Sequence, residues 1–250
     1  LQAVVGDGQQ WNFAYDVNGN LLSSTDPLGN PTLFTYNPQH KPTTLVDGNG
    51  NTTAFAYDIK GNVTQITDAL GGITTFTYDS AGNLLTKTDP LGHTESYTYD
   101  SAGNRLTRTD ALGHTWSWTY NAAHRVTDET DPNGHMTRYF YDLVGRLIAV
   151  RNHLGGQKNF LYDKVGHLLM AEDEAGQRTL WDYDVRGLVE RKIDAAGKVN
   201  TYTYDDNRNM LTMTDPLSHT ITYGYDAGNR LITLIKANGA TWHYEYDGNS

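Results

Sequence analysis

The sequence predicts an all-β protein built as a repetitive ribbon of antiparallel β-hairpins. Three observations predict this fold class: a 21-residue period, strict alternation of residue types before the end of each period, and two turn signals within it. A fixed period of this kind is typical of repeat architectures, in which each unit is buried by stacking on its neighbours. Because wide sheets twist, we expect the ribbon to curl into a spiral shell or to form an open solenoid-like sheet.

The period is marked by a Tyr-Asp or Tyr-Asn pair, called here the dyad. Its twelve tyrosines are each 21 residues apart: Tyr15, Tyr36, Tyr57, Tyr78, Tyr99, Tyr120, Tyr141, Tyr162, Tyr183, Tyr204, Tyr225 and Tyr246. This spacing predicts a single continuous array over residues 1–250 without an internal boundary. The chain opens partway through a unit and stops just after a dyad, and from this we expect a fragment of a longer shell.

The segment that enters each dyad alternates, as in residues 95–99 (ESYTY), and so predicts a strand with its aromatic residues on one face. The residue two places before each dyad tyrosine is aromatic in all twelve units: Phe13, Phe34, Phe55, Phe76, Tyr97, Trp118, Tyr139, Phe160, Trp181, Tyr202, Tyr223 and Tyr244. The segment that leaves the dyad carries adjacent aliphatic residues, as in Leu84-Leu85. Each unit therefore predicts two strands.

Two turns join these strands. The first turn follows the dyad, as in residues 79–83 (DSAGN), and the second is a DPLG segment, as in residues 89–92, which fits a type I turn. Glycine accepts the positive φ that closes such turns. The second-turn glycine recurs as Gly29, Gly50, Gly71, Gly92, Gly113 and Gly134, and then as Gly155, Gly176, Gly197 and Gly239. We predict that the dyad tyrosines and these turn residues are the structural determinants of the repeat.

Three stretches depart from the consensus. Pro38 and Pro42 flank the first turn near residue 40, and because proline removes a ladder donor, we expect a short or shifted strand there. Residues 188–198 favour a helix by local propensity, but both flanking dyads stay in register, so we predict strands. After Tyr225, Gly228 comes one residue early, which predicts a β-bulge in that unit.

The composition excludes several classes of protein. The net charge is −10, but 19 of the 29 acidic residues are dyad or second-turn aspartates, so the acidity reflects turn chemistry and argues against nucleic-acid binding. Cysteine is absent, so there is no disulfide and no thiolate metal site. No apolar run reaches the length of a membrane span, and no signal peptide is visible.

The candidate chemical sites favour structural interpretations. Four histidines come directly after the last residue of the second turn, which is glycine or Ser218: His93, His114, His135 and His219. Equivalent residues of a meander lie about 9 to 10 Å apart, whereas each ligand atom of a zinc site lies about 2.0 to 2.1 Å from the metal ion. The Asp-x-x-Gly repeat lacks the nonapeptide period of calcium-binding repeats. No catalytic triad or phosphate loop is distinguishable. We therefore predict no metal, no cofactor and no enzymatic activity.

The sequence of the repeat resembles that of a known family. Tyr-Asp-x-x-Gly-Asn-x-Leu followed by Thr-Asp-Pro-Leu-Gly, in residues 78–92 and nearly unchanged in 99–113, resembles the YD repeat of Rhs proteins, which Tc toxin B/C shell components and teneurins share. The resemblance covers essentially all 250 residues. It implies a β-ribbon that spirals into a hollow cocoon around a C-terminal toxin or effector domain, which is delivered to a competitor or host cell. It also implies secreted or cell-surface localisation.

The resemblance is limited to the repeat itself. The chain has no recognisable core-end motif, no identifiable autoproteolytic aspartate and no variable toxin domain. We therefore assign neither cleavage nor toxicity to any of its residues. The predicted function is a non-catalytic section of a shell, with the rest of that shell and the enclosed domain as partners.

Two alternatives stay open. In the first, the aromatic columns form a carbohydrate-binding or adhesion surface, which requires that some of Trp116, Trp118, Trp181 and Trp242 are exposed. In the second, the chain self-associates through free sheet edges, because unpaired N–H and C=O groups at an edge can pair with another chain.

Overall fold

The computed structural model describes residues 2–4 and 10–246, and these contain only β-strands, turns and irregular connections. The predicted all-β fold of antiparallel hairpins is confirmed. The described residues contain no helix long and apolar enough to cross a membrane. Two compact units are distinguished, Leu1–Gly134 and His135–Ser250. A single uninterrupted array over residues 1–250 stays a prediction.

The strands of the first unit are short and regular. They are β1 (Gln2–Val4), β2 (Gln10–Tyr15), β3 (Leu21–Thr25), β4 (Pro31–Tyr36), β5 (Pro42–Val46), β6 (Thr52–Tyr57), β7 (Val63–Thr67), β8 (Ile73–Tyr78), β9 (Leu84–Thr88), β10 (Thr94–Tyr99), β11 (Arg105–Thr109), β12 (Thr115–Tyr120) and β13 (Val126–Thr130).

The second unit has the same pattern. Its strands are β14 (Met136–Tyr141), β15 (Leu147–Arg151), β16 (Gln157–Tyr162), β17 (Leu168–Glu172), β18 (Arg178–Tyr183), β19 (Val189–Ile193), β20 (Val199–Tyr204), β21 (Met210–Thr214), β22 (Thr220–Tyr225), β23 (Leu231–Ile235) and β24 (Thr241–His243). The stretch with local helix propensity, residues 188–198, forms β19 and the second turn that follows it, so the strand predicted from the period is confirmed there.

Within each of the two units, strands that follow one another in the chain pair antiparallel, so the strands form a meander. The first turn joins the strands of one hairpin, such as β8 and β9, and the second turn joins β9 to β10. Successive second turns therefore lie along one edge of the sheet and successive first turns along the other. We call these the second-turn edge and the first-turn edge.

A β-bulge lies at the dyad tyrosine in each of the eleven first-turn hairpins of the described residues. In β8–β9, Thr77 pairs with Thr86 but Tyr78 pairs with Leu84, so Leu85 is the extra residue. The bulge expected in the unit that begins at Tyr225 is present between β22 and β23, but it is not special to that unit. The bulge recurs with the period because the dyad ends every first-turn hairpin.

The bulge explains the adjacent aliphatic residues. The Oγ1 of Thr35 lies 2.8 Å from that of Thr43 and 2.6 Å from that of Thr44, so the extra residue shares the face opposite the aromatic columns. The residue before it lies on the aromatic face, since the Arg105 guanidinium stacks at 4.3 Å over the Trp118 ring centroid. Adjacent aliphatics such as Leu84 and Leu85 therefore serve opposite faces.

Proline does not shorten β5, contrary to the sequence-based expectation. This strand runs from Pro42 to Val46, five residues like its counterparts, and Pro42 pairs with Tyr36. Proline is tolerated here because it occupies the first position of the strand.

The sheets have almost no buried interior. Among the described residues only Ala149, at 7% exposure, counts as a buried hydrophobic residue. In β8 the positions on the aromatic face are half-buried, whereas the alternate positions are exposed. Each unit is thus a single-layer sheet in which contacts along the ribbon, between successive strands, supply the packing.

Candidate functional surface: the repeated turns, the aromatic face and the ribbon edges

The dyad aspartate organises the first turn. The Asp79 N–H donates to the Asn83 carbonyl at 2.9 Å, and the Gly82 N–H donates to the Asp79 carbonyl at 3.1 Å. Its carboxylate accepts the N–H groups of Ala81 and Asn83 at 2.9 and 2.8 Å and the Asn83 side-chain amide at 2.9 Å. Gly82 has φ of 94°, which a side chain would strain.

The second turn has the same construction. The Gly92 N–H donates to the Asp89 carbonyl at 3.0 Å, and the Asp89 N–H donates to the His93 carbonyl at 2.9 Å. The Asp89 carboxylate accepts the N–H groups of Leu91 and His93, both at 2.9 Å. Gly92 has φ of 86°. Both turns are therefore type I turns closed by a left-handed residue.

These hydrogen bonds depress the carboxyl pKa values. The side-chain amide of Asn83, followed by its backbone N–H, lowers the pKa of Asp79 below the ordinary value. In the second turn the His93 ring, 2.9 Å from the carboxylate, and the His93 N–H lower the pKa of Asp89. Hydrogen bonds to the charged form favour ionisation.

Five turns use a residue other than glycine at the left-handed position. His40, His124, Arg208, Ser218 and Asn229 have φ between 59° and 71°. Asn229, and not Gly228, occupies this position after Tyr225, since its N–H donates to the Asp226 carbonyl at 3.0 Å. The apparent one-residue shift in the sequence is therefore a substitution within an unshifted turn.

The dyad tyrosine links one 21-residue repeat to the preceding repeat. The Tyr78 hydroxyl donates to the Val63 carbonyl at 2.8 Å, fifteen residues earlier. Val63 lies two residues before Gln65, where the paired register of β7 with β8 ends, so the tyrosine satisfies a carbonyl beyond the ladder. The same bond is formed by Tyr36, Tyr57, Tyr120, Tyr183, Tyr204, Tyr225 and Tyr246.

Neighbouring first turns are also tied by long side chains. The Arg146 guanidinium donates to the Asp142 carboxylate at 2.7 Å and to the Asp163 carbonyl of the next first turn at 2.6 Å. Arg186 reaches the Asp205 carbonyl at 2.5 Å in the same way. These bonds lie along the first-turn edge, in addition to the strand ladder.

The aromatic face carries a charged network in the compact unit Leu1–Gly134. Glu95 accepts the Tyr97 hydroxyl at 2.6 Å and the Arg108 guanidinium at 2.7 Å. These two hydrogen bonds lower the pKa of Glu95, and burial raises the pKa of Tyr97. Arg108 also stacks at 4.9 Å over the Trp116 ring centroid.

The four tryptophans relevant to sugar binding each have a cation over the ring. Trp116, Trp118 and Trp181 are half-buried under Arg108, Arg105 and Lys192, while Trp242 is 42% exposed beneath Lys236. A cation over a ring occupies the surface on which a sugar would stack. The adhesion hypothesis stays a prediction, and only Trp242 meets its requirement for exposure.

The second-turn histidines stay near their own turns. His93, His114 and His219 each lie 2.9 Å from the aspartate of the same turn, and His135 stacks on His153 at 4.0 Å between centroids. No group of three His, Asp or Glu side chains in residues 2–4 and 10–246 is arranged to hold a metal ion.

Both edges present exposed aliphatic side chains. On the second-turn edge the third residue of the turn is leucine in six units: Leu28, Leu70, Leu91, Leu112, Leu154 and Leu217. On the first-turn edge the exposed aliphatics are Val17, Ile59, Leu143, Val144, Val165 and Val185. The sequence signal for the second-turn row is the leucine that recurs at the third position of the turn.

The period, the repeated turns and the single-layer meander define a β-hairpin repeat protein of the YD class. The teneurin YD-shell family matches residues 1–180, and the RHS repeat matches residues 183–220 and 211–241. The chain belongs to the teneurin YD-shell family, and the predicted YD-repeat resemblance is confirmed.

Solved structures share the fold. The chain is similar to the crystal structure of TcdB2-TccC3 and to that of TcdB2-TccC3 without its hypervariable C-terminal region, each with a TM-score of 0.75, 16% identity and 94% of this chain covered. The structure of TcdB2-TccC3-Cdc42 matches with a TM-score of 0.55 at 17% identity over 93% of the chain. The chain spans 14 to 16% of these longer chains. None of the curated proteins matches the sequence.

Proposed function

We propose that this chain is a structural section of a YD-repeat shell that encloses a C-terminal toxin or effector domain, without catalysis of its own. The observation that carries the proposal is membership of the YD-shell family together with a fold shared with TcdB2-TccC3. The single-layer sheet supports it, because a wall needs extent along the ribbon and no interior of its own.

The tyrosine ties suit a wall that must hold its strands together. Each tie joins a side chain to a backbone carbonyl in the preceding unit, as Tyr78 does with Val63 and Tyr120 with Arg105 at 2.8 Å in both cases. Delivery outside the producing cell, and partnership with the rest of the shell and with its cargo, follow as parts of the same proposal.

The test uses the complete parent protein. We expect its C-terminal domain to resist added protease while the shell is intact, and to become cleavable when Tyr78→Ala and Tyr120→Ala remove two ties. The matched control is Thr77→Ala with Thr119→Ala, two neighbouring residues on the opposite face. If protease cleaves the C-terminal domain of the unmodified parent as readily as it cleaves that domain in both variants, the shell encloses nothing. The encapsulation proposal then fails.

A further inference from the structure

We infer that Asn49 is a site of spontaneous deamidation, at which the Gly50 backbone nitrogen attacks the Asn49 side-chain amide and the product opens the second turn of residues 47–51. The inference goes beyond the proposed shell function and does not depend on it. It is carried by the exposure of Asn49, the missing side chain of Gly50, and the hydrogen bonds that hold Asp47 and Asn51.

The second turn of residues 47–51 (DGNGN) contains three side chains that can form a cyclic imide with the backbone nitrogen of the next residue: Asp47, Asn49 and Asn51. Asparagine is among the thermolabile residues of proteins. The reaction requires that the side-chain carbonyl carbon is free to approach that nitrogen. The hydrogen bonds of the turn therefore decide which of the three reacts.

Asp47 and Asn51 hold each other. The Asp47 carboxylate accepts the N–H groups of Asn49 and Asn51, both at 2.9 Å, and the Asn51 side-chain amide at 2.9 Å. The Asn51 side chain and N–H lower the pKa of Asp47, so the carboxyl stays ionised at neutral pH, and a carboxylate resists nucleophilic attack. Asn51 is also followed by Thr52, whose branched Cβ crowds the attacking nitrogen.

Asn49 lacks both kinds of protection. It is exposed at the third position of the turn, and within the described residues 10–246 its side chain forms no hydrogen bond. Gly50 follows it, and the Cβ position of Gly50 has no neighbour within 4 Å. The Gly50 N–H donates to the Asp47 carbonyl at 2.9 Å, so the attack requires a local opening of this exposed turn.

The reaction consumes water and releases ammonia. The Gly50 nitrogen bonds to the side-chain carbonyl carbon of Asn49, and the side-chain nitrogen leaves as ammonia with the Gly50 proton. Water then adds to one of the two imide carbonyls and leaves aspartate or isoaspartate at position 49. In isoaspartate the main chain runs through the side-chain methylene, which moves the Gly50 N–H out of register with the Asp47 carbonyl.

The same dipeptide occupies the same position in other turns. Asn18-Gly19 lies in a first turn and Asn133-Gly134 in a second turn, and both asparagines are exposed. Other second turns have leucine at this position, such as Leu28 and Leu70, which has no amide to react. We therefore expect the modification at particular turns of the ribbon and not along its whole length.

Ageing of the purified chain at mildly alkaline pH tests the inference. We expect peptide mapping by mass spectrometry to show conversion of amide to acid at Asn49 and not at Asn51. Water enriched in heavy oxygen should label the new carboxyl group, and an isoaspartate methyltransferase should methylate the converted peptide. An intact Asn49, or conversion of Asn51 as fast as that of Asn49, overturns the inference.

Two variants test whether the modification opens the turn. Asn49→Leu copies the residue found at Leu70, and the Gly50 amide should exchange its hydrogen faster after ageing in the parent but not in this variant. Freshly prepared Asn49→Asp has the new charge on an unlengthened backbone, so its Gly50 exchange should match that of the fresh parent. If it instead matches the aged parent, the charge alone accounts for the opening and the assigned cause is wrong.

Discussion

Residues 57–120 and residues 142–205 build the same turns with different side chains. In the first region the residue four places after the dyad aspartate is Asn62, Asn83 or Asn104, and each amide binds its own aspartate. In the second region that position holds Arg146, His167 and Leu188, yet the aspartate N–H donates to its carbonyl at 2.9 Å in all three turns. The turn therefore depends on the aspartate and the left-handed residue, not on the side chain that follows.

The position four residues after the dyad aspartate makes different contacts in the second region. Asn83 satisfies the carboxylate of its own turn, whereas Arg146 binds its own Asp142 and also the carbonyl of Asp163 in the next unit. At this position the second region therefore adds a contact to the next repeat, whereas in the first region Lys60, at another position of its turn, reaches the Ser80 carbonyl. Departure from the repeat consensus relocates stabilising contacts without removing the frame.

The exposed faces differ in the same way. In residues 57–120 this face carries threonine pairs such as Thr77 with Thr86 and Thr98 with Thr107, with hydroxyl oxygens 2.6 and 2.7 Å apart. In the second region Glu172 instead accepts hydrogen bonds from Asn159 and Arg178. Both arrangements fit the same strand register.

The largest effect should come from the left-handed turn residue. Gly92→Val places a β-branched residue at φ of 86° and should lower the free energy of unfolding by about 1 to 3 kcal/mol, measured by urea denaturation. The Gly92 Cβ position has no neighbour within 4 Å, so the loss is one of backbone strain and not of crowding. Gly92→Asn should cost less, since Asn229 adopts this conformation. Unfolding of Gly92→Val at the parent's midpoint would refute the turn assignment.

The tyrosine tie should be worth the same in both regions. Tyr78→Phe and Tyr183→Phe each remove a hydroxyl that donates to a carbonyl, at 2.8 and 2.9 Å, and each should cost about 0.5 to 1.5 kcal/mol. Chemical denaturation of the two variants gives the comparison directly. A cost in only one region would mean that the frame is not equivalent in the two.

The side chain after the turn should matter more in the second region than in the first. Arg146→Met removes its bonds to Asp142 and Asp163 and its stacking at 5.1 Å from the Tyr162 centroid. We expect a loss of about 0.5 to 1 kcal/mol, because the group is partly exposed. Asn83→Met, the matched change in the first region, should cost less in the same assay. A larger loss for Asn83→Met than for Arg146→Met would contradict this expectation.

The smallest change at neutral pH should come from Asp79→Asn. Asn37 and Asn121 already serve as turn aspartate equivalents, with Asn37 accepting N–H groups at 3.0 and 2.9 Å. The folded pKa of Asp79 is depressed, so its contribution is present above the ordinary carboxyl pKa and is lost as pH falls through the folded value. Asp79→Asn should therefore weaken the acid dependence of stability. An unchanged slope of stability against pH below 4 would exclude Asp79 as a contributor.

The strands and turns were predictable because the period repeats the same local requirement many times. Gly92 and its equivalents identified the turns, and alternation identified the aromatic face. The bulge was not predictable, because Leu84 and Leu85 have similar side chains and only their pairing shows that they serve opposite faces.

The site was less accessible to sequence reasoning than the fold. The tyrosine tie requires knowing where the ladder between β7 and β8 ends, since Val63 has no sequence feature that distinguishes its carbonyl. The positive φ of Ser218 and Arg208 was not predictable, because neither residue type indicates a left-handed conformation as glycine does. The cations over Trp116 and Trp118 depend on cross-strand geometry and not on spacing.

The short reach of the contacts has a consequence for how such genes change length. The tyrosine ties span fifteen residues, and the arginine ties from Arg146 and Arg186 span 17 and 19. Duplication or loss of one complete 21-residue unit would therefore leave each remaining unit with a neighbour that offers the same partners. Recombination between repeats could thus change the length of the ribbon in whole-unit steps, without requiring compensating substitutions elsewhere in the protein.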